Sequence, residues 1–194
     1  KGKGARIWDL EDREFEDWGM GLTSVLLGHA NSEMIEAIKQ ELENGVNFIR
    51  PSYLELELAE ILNQQIPSAQ MVKFAKNGSD ATTAAVRLAR AYTGKEIVLR
   101  CEDQPFFSVH DWFIGDTAIN SGTLKCVRDY TKKFKYNNLD NFKKQVKKYK
   151  DNLACVILEV ASTEEPKKEF LEGIREICTK ENIVLIFDEV VSGL

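Results

Sequence analysis

The chain has 194 residues, is 43% hydrophobic and 29% charged, and carries a formal net charge of −5. That is the profile of a folded globular chain, long enough for one core or for part of a larger one. The acidic balance argues against nucleic acid as the main partner, and no run reaches the ~18 apolar residues that a membrane span needs.

"RIWDLEDREFEDW" alternates loosely around an acidic centre and predicts a small hairpin turning near Asp12. "GMGLTSVLLGHAN" is glycine-rich and irregular. Ile35, Ile38 and Leu42 repeat at helical spacing, with Asn31 or Ser32 as the cap. Ser52 and Glu55 form a capping box for the next helix. Leu54, Leu58, Ile61 and Leu62 are expected on its buried face, and Pro67 ends the region.

"MVKFA" predicts a short strand. A helix from about Ser79 to Tyr92 follows, with Gly94 as its C-cap. "EIVLRC" predicts another strand. Residues 102–122 then form a loop too long to be idle, and "TLKCVRDY" predicts a strand after it. Leu139, Phe142, Val146 and Tyr149 mark an amphipathic helix. "LACVILEV" is a nearly continuous apolar strand. Phe170, Leu171, Ile174, Ile177 and Cys178 mark a further helix, and "IVLIFDEV" closes with a second buried strand. Buried strands alternating with helices give an α/β fold around a parallel or mixed sheet, with no internal repeat.

Gly78, Ser79 and Asp80 stand at a helix start, where free amides and the helix dipole suit a phosphate. Gly78 lets a ligand approach the backbone, and Ser79 adds a hydroxyl. The Asp80 charge opposes a phosphate unless it is paired elsewhere, and the plainer reading makes Ser79 or Asp80 a simple N-cap. Asp188 leaves an apolar strand at its carboxyl end, where ligands of open α/β sheets collect. A carboxylate there needs a partner; a protonated ring nitrogen is one, and a structural cap or salt bridge is the other reading. Glu159 ends "LACVILE" in the same way, so the two carboxylates share a rim if their strands are neighbours.

Phe106, Phe107, His110, Trp112 and Phe113 crowd the long loop, either to stack on a flat ligand or as the loop's own core. The two histidines, His29 and His110, read more readily as structural than as catalytic. Lys132, Lys133, Lys135, Lys143, Lys144, Lys147, Lys148 and Lys150 read as a solvated face rather than an anion patch. Cys101, Cys126, Cys155 and Cys178 form no CxxC pair and are expected as reduced thiols in a cytosolic protein, not as a zinc site or disulfides.

Four strings together resemble the class III aminotransferases of the pyridoxal-phosphate fold type I group, in their glutamate-1-semialdehyde aminomutase-like branch: "VLLGHANSEMIEAI", "MVKFAKNGSDATTAAVRLARAYTGK", "HDWFIG" and "ENIVLIFDEVVSGL". The resemblance implies a mostly parallel central sheet with helices on both faces. Residues 1–50 would be an N-terminal segment and 51–194 a partial large cofactor-binding domain. It implies pyridoxal 5'-phosphate as cofactor, with Gly78 and Ser79 holding its phosphate and Phe106 stacking on its ring. Asp188 would pair with the ring nitrogen as the catalytic carboxylate, Val190 would back the ring's other face, and Glu159 would lie near the rim.

The implied activity moves an amino group from a small-molecule donor to a carbonyl acceptor, including a modified sugar. The implied protein is a cytoplasmic homodimer that binds no metal, nucleic acid or membrane. An aminomutase is the nearest alternative, and a non-catalytic cofactor binder or scaffold is a second.

The sequence departs from the family pattern at several points. Phe106-Phe107-Ser108 stands where Tyr-His-Gly is common, "CEDQPFF" reads as an insertion, and Val160 followed by "ASTEEP" replaces a proline after Glu159. The family's Schiff-base lysine lies beyond the position matching Leu194. The expectation is therefore a longer parent protein, with the 194-residue unit alone unable to transaminate.

Overall fold

The computed structural model describes residues 1–161 and 163–193. Ser162, inside the "ASTEEP" departure, and Leu194 lie outside the described residues. The chain divides into two compact units, Lys1–Phe74 and Ala75–Leu194.

The first unit opens with a three-stranded antiparallel sheet of β1 (Gly2–Lys3), β2 (Arg6–Trp8) and β3 (Glu14–Glu16). The expected hairpin is β2–β3. Asp9 Oδ1 accepts the amides of Glu11 and Arg13 at 2.9 and 3.0 Å, and Asp12 takes φ 58° at the turn. Helices α1 (Ser32–Asn44) and α2 (Tyr53–Gln65) follow. Asn31 caps α1, and Ser52 with Glu55 forms the complete capping box on α2.

The apolar face of α2 is not buried, contrary to expectation: Leu54, Leu58 and Ile61 are 47%, 46% and 42% exposed, and Leu62 is only half-buried. Periodicity locates an apolar face but does not supply the surface that covers it. "MVKFA" is likewise not a strand. Val72 and Phe74 are half-buried while Met71, Lys73 and Ala75 face solvent, but this extended segment has no ladder partner among the described residues.

The second unit is built on four parallel strands in the order β5-β4-β6-β7, with β4 Ile97–Cys101, β5 Thr131–Phe134, β6 Leu153–Glu159 and β7 Val184–Asp188. Helices α3 (Gly78–Thr93), α4 (Asp111–Ile114), α5 (Lys125–Arg128), α6 (Leu139–Tyr149) and α7 (Phe170–Lys180) surround them. Every residue from Leu153 to Leu158 is buried. Successive strand residues face opposite sides, so both faces of the sheet are covered at β6.

α3 packs on β6 and β7, α6 on β5, and α7 on β7 and α6. Phe142 and Val146 of α6 and Phe170, Ile174 and Cys178 of α7 bring their expected faces into this core. The α6 lysines lie on the opposite, exposed face. Lys132 and Lys148 flank the Tyr149 ring at 5.8 and 4.9 Å, which fits a solvated face better than an anion site.

Two strand expectations are corrected here. "TLKCVRDY" contains the short helix α5, which is pinned by Arg128: its guanidinium bonds the Thr123 hydroxyl at 2.9 Å and the carbonyls of Asn120 and Thr123 at 2.9 and 2.7 Å. The strand comes just after it, in "TKKF", where Thr131 and Phe134 are buried and the lysines suit an edge. β7 is the opposite edge of the sheet, with Phe187 42% exposed, not a strand buried on both sides.

Candidate functional site

The start of α3 is set by Asn77, not by Ser79 or Asp80. Asn77 Oδ1 accepts the Asp80 amide at 3.0 Å, and its carbonyl accepts the Ala81 amide at 3.1 Å. The amides of Gly78 and Ser79 are then the first of the helix, without intrahelical partners and at the positive end of its dipole. With the cap elsewhere, the Ser79 side chain is released from that task. Its Oγ accepts the Val109 amide at 3.1 Å, leaving the hydroxyl proton for another acceptor. Asp80 is tied up locally: Asn77 Nδ2 donates to one carboxylate oxygen at 3.0 Å, and His110 Nε2 lies 3.2 Å from the other. The carboxylate that would oppose a bound anion is thus held in place by hydrogen bonds.

The loop after β4 is stitched to this first turn of α3. The Thr82 hydroxyl donates to the Phe107 carbonyl at 2.7 Å. Ser108 Oγ is fully buried, 3.0 Å from Thr83 Oγ1, and donates to the Ser79 carbonyl at 3.3 Å. Trp112 Nε1 donates to Thr83 Oγ1 at 2.8 Å. The aromatic cluster divides by burial. Phe107, Trp112 and Phe113 are buried as the loop's own core, whereas Phe106 is half exposed and meets Phe113 edge-on at 5.7 Å.

At the carboxyl ends of the strands, Glu159 and Asp188 are direct register partners of β6 and β7, so the two carboxylates do share a rim. Asp188 is only 8% exposed, and burial raises its pKa above the usual carboxylate range. Among the described residues the one hydrogen bond to its carboxyl is from the Val190 amide, at 3.1 Å. Val190 in turn packs on Gly78: a Cβ at residue 78 would stand 3.1 Å from a Val190 methyl. A side chain there would require the Val190 side chain to give way by a few tenths of an ångström. Gly78, Asp188 and Val190 are therefore gathered in one place, Ser79 and Phe106 are joined to it through the loop contacts, and Glu159 through the sheet register.

Sequence reading missed Gln104 and Ser108. Gln104 is 3% exposed, and its amide both accepts the Glu159 N–H and donates to the Glu159 carbonyl, each at 2.8 Å. Neither residue belongs to a motif; the only signal was that "CEDQPFF" and "FFS" depart from the family pattern. His29 lies in the first unit with its Nε2 2.7 Å from Asp17 Oδ2, a structural pair. Burial pushes the thiols of Cys155 and Cys178 up to about 12 and that of Cys101 up to about 11, so none is poised as a nucleophile. Among the described residues no group of three or more His, Cys, Asp and Glu side chains is arranged to hold a metal.

Known proteins share this sequence pattern and this fold. A glutamate-1-semialdehyde 2,1-aminomutase of Persephonella marina is 35% identical over the whole of this chain and 48% of its own length. The crystal structure of an omega-transaminase from Sphaerobacter thermophilus superposes with a TM-score of 0.91 at 30% identity, covering 99% of this chain and 48% of that one. The Sphingopyxis sp. MTA144 FumI protein, solved in its PLP internal aldimine form, superposes at 0.90 with 28% identity, covering 100% and 47%. The parallel sheet and its helices are thus those of the fold type I PLP-dependent transaminases. The chain spans about half the length of the relatives it matches. The model of the family described as aminotransferase class-III matches residues 1–194, and with these relatives it establishes that the chain belongs to the class-III aminotransferases.

Proposed function

We propose that this chain supplies the cofactor-anchoring part of a pyridoxal-phosphate-dependent aminotransferase. The observation that carries the reading is Asp188, a buried carboxylate at the carboxyl end of β7, gathered through Val190 to the open start of α3. These are the two anchors a phosphorylated pyridine requires: amide donors for the phosphate and a carboxylate for the ring nitrogen. When bound, pyridoxal phosphate supplies an electron sink for cleaving bonds at an amino-bearing carbon.

The residues of this chain do the rest. The amides of Gly78 and Ser79 and the Ser79 hydroxyl hold the phosphate. Asp188, itself buried, holds a proton on the ring nitrogen. Phe106 presents its half-exposed ring as the stacking surface, and Val190 supports the opposite face. Glu159 stands beside Asp188 at the rim.

An amino donor and a carbonyl acceptor are the proposed substrates. A modified-sugar acceptor rests on "HDWFIG" and the α3 string by resemblance alone. The name of the Persephonella relative supports an aminomutase as a second reading. Product analysis separates the two, because a mutase turns over without a separate carbonyl acceptor. The grouping of residues 51–194 as part of a larger cofactor domain, the homodimer and the cytoplasmic location belong to the same proposal. The location is supported by the four unpaired cysteines, which a reducing compartment keeps as thiols.

The test is binding of pyridoxal phosphate to the protein, followed by quenching of tryptophan emission. Saturable binding is expected, weakened roughly tenfold or more in Asp188→Asn, since a charge-assisted bond is worth about 1.5–3 kcal/mol. Absence of saturable binding, or an affinity indifferent to residue 188, overturns the reading. Binding with no turnover in any longer form of the protein would favour the scaffold alternative.

A further inference from the structure

We propose that Gln104 and Ser108 are positioning residues that together fix Phe106 as the ring platform, spanning the gap between the strand ends and the start of α3. The inference rests on the cofactor reading above and adds residues that the reading does not assign.

Phe106 has weak anchorage of its own. Half its surface is exposed, and among the described residues its one aromatic contact is the edge-on approach to Phe113. A half-exposed ring on a loop is an imprecise stacking surface unless the backbone on both sides of it is held. Here it is held on both sides, by different parts of the fold.

Two residues before Phe106, the Gln104 amide makes paired 2.8 Å bonds to the backbone of Glu159. They resemble the exchange between strand neighbours, supplied by a side chain. Glu159 is in register with Asp188, so this anchor is referenced to the carboxylate end of the site. Two residues after Phe106, the buried Ser108 hydroxyl bridges the Ser79 carbonyl and Thr83 Oγ1, which references the loop to the phosphate end. Buried polar side chains are retained where every bond is satisfied. Both meet that standard: no buried side-chain nitrogen or oxygen is left without a partner among the described residues. A loop needing only to stay folded already has Phe107, Trp112 and Phe113 in the core and the Thr82 bond to Phe107. The two extra anchors bracket the exposed Phe106 ring, and Ser108 Oγ also accepts the His110 amide at 3.1 Å.

The experiment compares affinities for pyridoxal phosphate and for inorganic phosphate in the 194-residue protein and in Gln104→Met, Ser108→Ala and Phe106→Ala. Near-ultraviolet circular dichroism checks packing. Positioning predicts that Gln104→Met and Ser108→Ala each lose roughly tenfold in pyridoxal-phosphate affinity while inorganic phosphate changes less than about twofold, because only ring binding depends on Phe106. It also predicts that neither substitution costs anything further in a Phe106→Ala background. Equal losses for both ligands, or losses that add to that of Phe106→Ala, overturn the inference. If Gln104→Met fails to fold, Ser108→Ala, which removes one hydroxyl, decides alone. Failure of the unsubstituted protein to bind pyridoxal phosphate would instead overturn the cofactor reading on which this rests, so the two failures are distinguishable.

Discussion

Asp188 shows what a buried carboxylate costs its own fold. Burial raises its pKa, so the folded chain holds the proton more tightly than the unfolded chain does. Between the ordinary carboxylate value of 3.8 and the raised folded value, the folded state binds more protons, and stability falls as pH rises through that window. Above it the ionised, buried group is a standing penalty until a cation pairs with it. Asp188→Asn keeps an acceptor for the Val190 amide and removes the charge. In chemical denaturation without cofactor, the variant is expected to be the more stable protein at neutral pH. Its advantage should disappear below the ordinary carboxylate value, and saturating pyridoxal phosphate should reverse the order in favour of the parent. An advantage independent of pH would mean that charge burial is not its source. Asp188 was legible in the sequence because it follows an unbroken apolar strand. Gln104 was not legible, because its role exists only through the backbone of Glu159, a sequence-distant residue.

At the scale of elements, α3 organises the site because its first turn is capped from outside the Gly-Ser-Asp string. Asn77→Ala removes the bond to the Asp80 amide and the restraint on the Asp80 carboxylate together. The expected cost is about 1 kcal/mol in denaturant titration. A loss of phosphate affinity should accompany it, reduced when Asp80 is also replaced by Asn. If Asp80→Asn restores nothing, Asp80 does not face the anion. Local chemistry explains which elements could be read. Long amphipathic helices such as α6 and α7, and the continuous apolar run of β6, carry their signal in their own residues. "TLKCVRDY" and "MVKFA" did not. A short run fits either period equally well; Arg128 pins the helix in one case, and in the other the segment has no ladder partner among the described residues. The cap was misplaced for a related reason: Asn, Ser and Asp all cap, and three of them stand within four residues at 77–80.

Across the whole molecule, buried residues are confined to one unit. The core runs from Val86 to Ile183, whereas no described residue of Lys1–Phe74 is fully buried. Opening free energies follow buried apolar contact. In native-state hydrogen exchange of the dilute protein, amides of β4 and β6 are expected to be the slowest, and those of α1 and α2 faster by orders of magnitude. The capping of both helices sharpens this expectation, because their ends are well made while their faces are bare: Ile38, Leu42, Leu54 and Leu58 are each between 46% and 56% exposed. A chain that spends capping residues on helices with uncovered apolar faces has a surface suited to burial by other protein. If the proposed homodimer supplies that cover, protection of α1 and α2 should rise with protein concentration in step with the sedimenting dimer, while protection of β6 stays constant. Slow exchange in α1 and α2 that does not depend on concentration would count against cover by a second copy. It would show instead that these helices are held within one chain, whatever their exposure in isolation suggests.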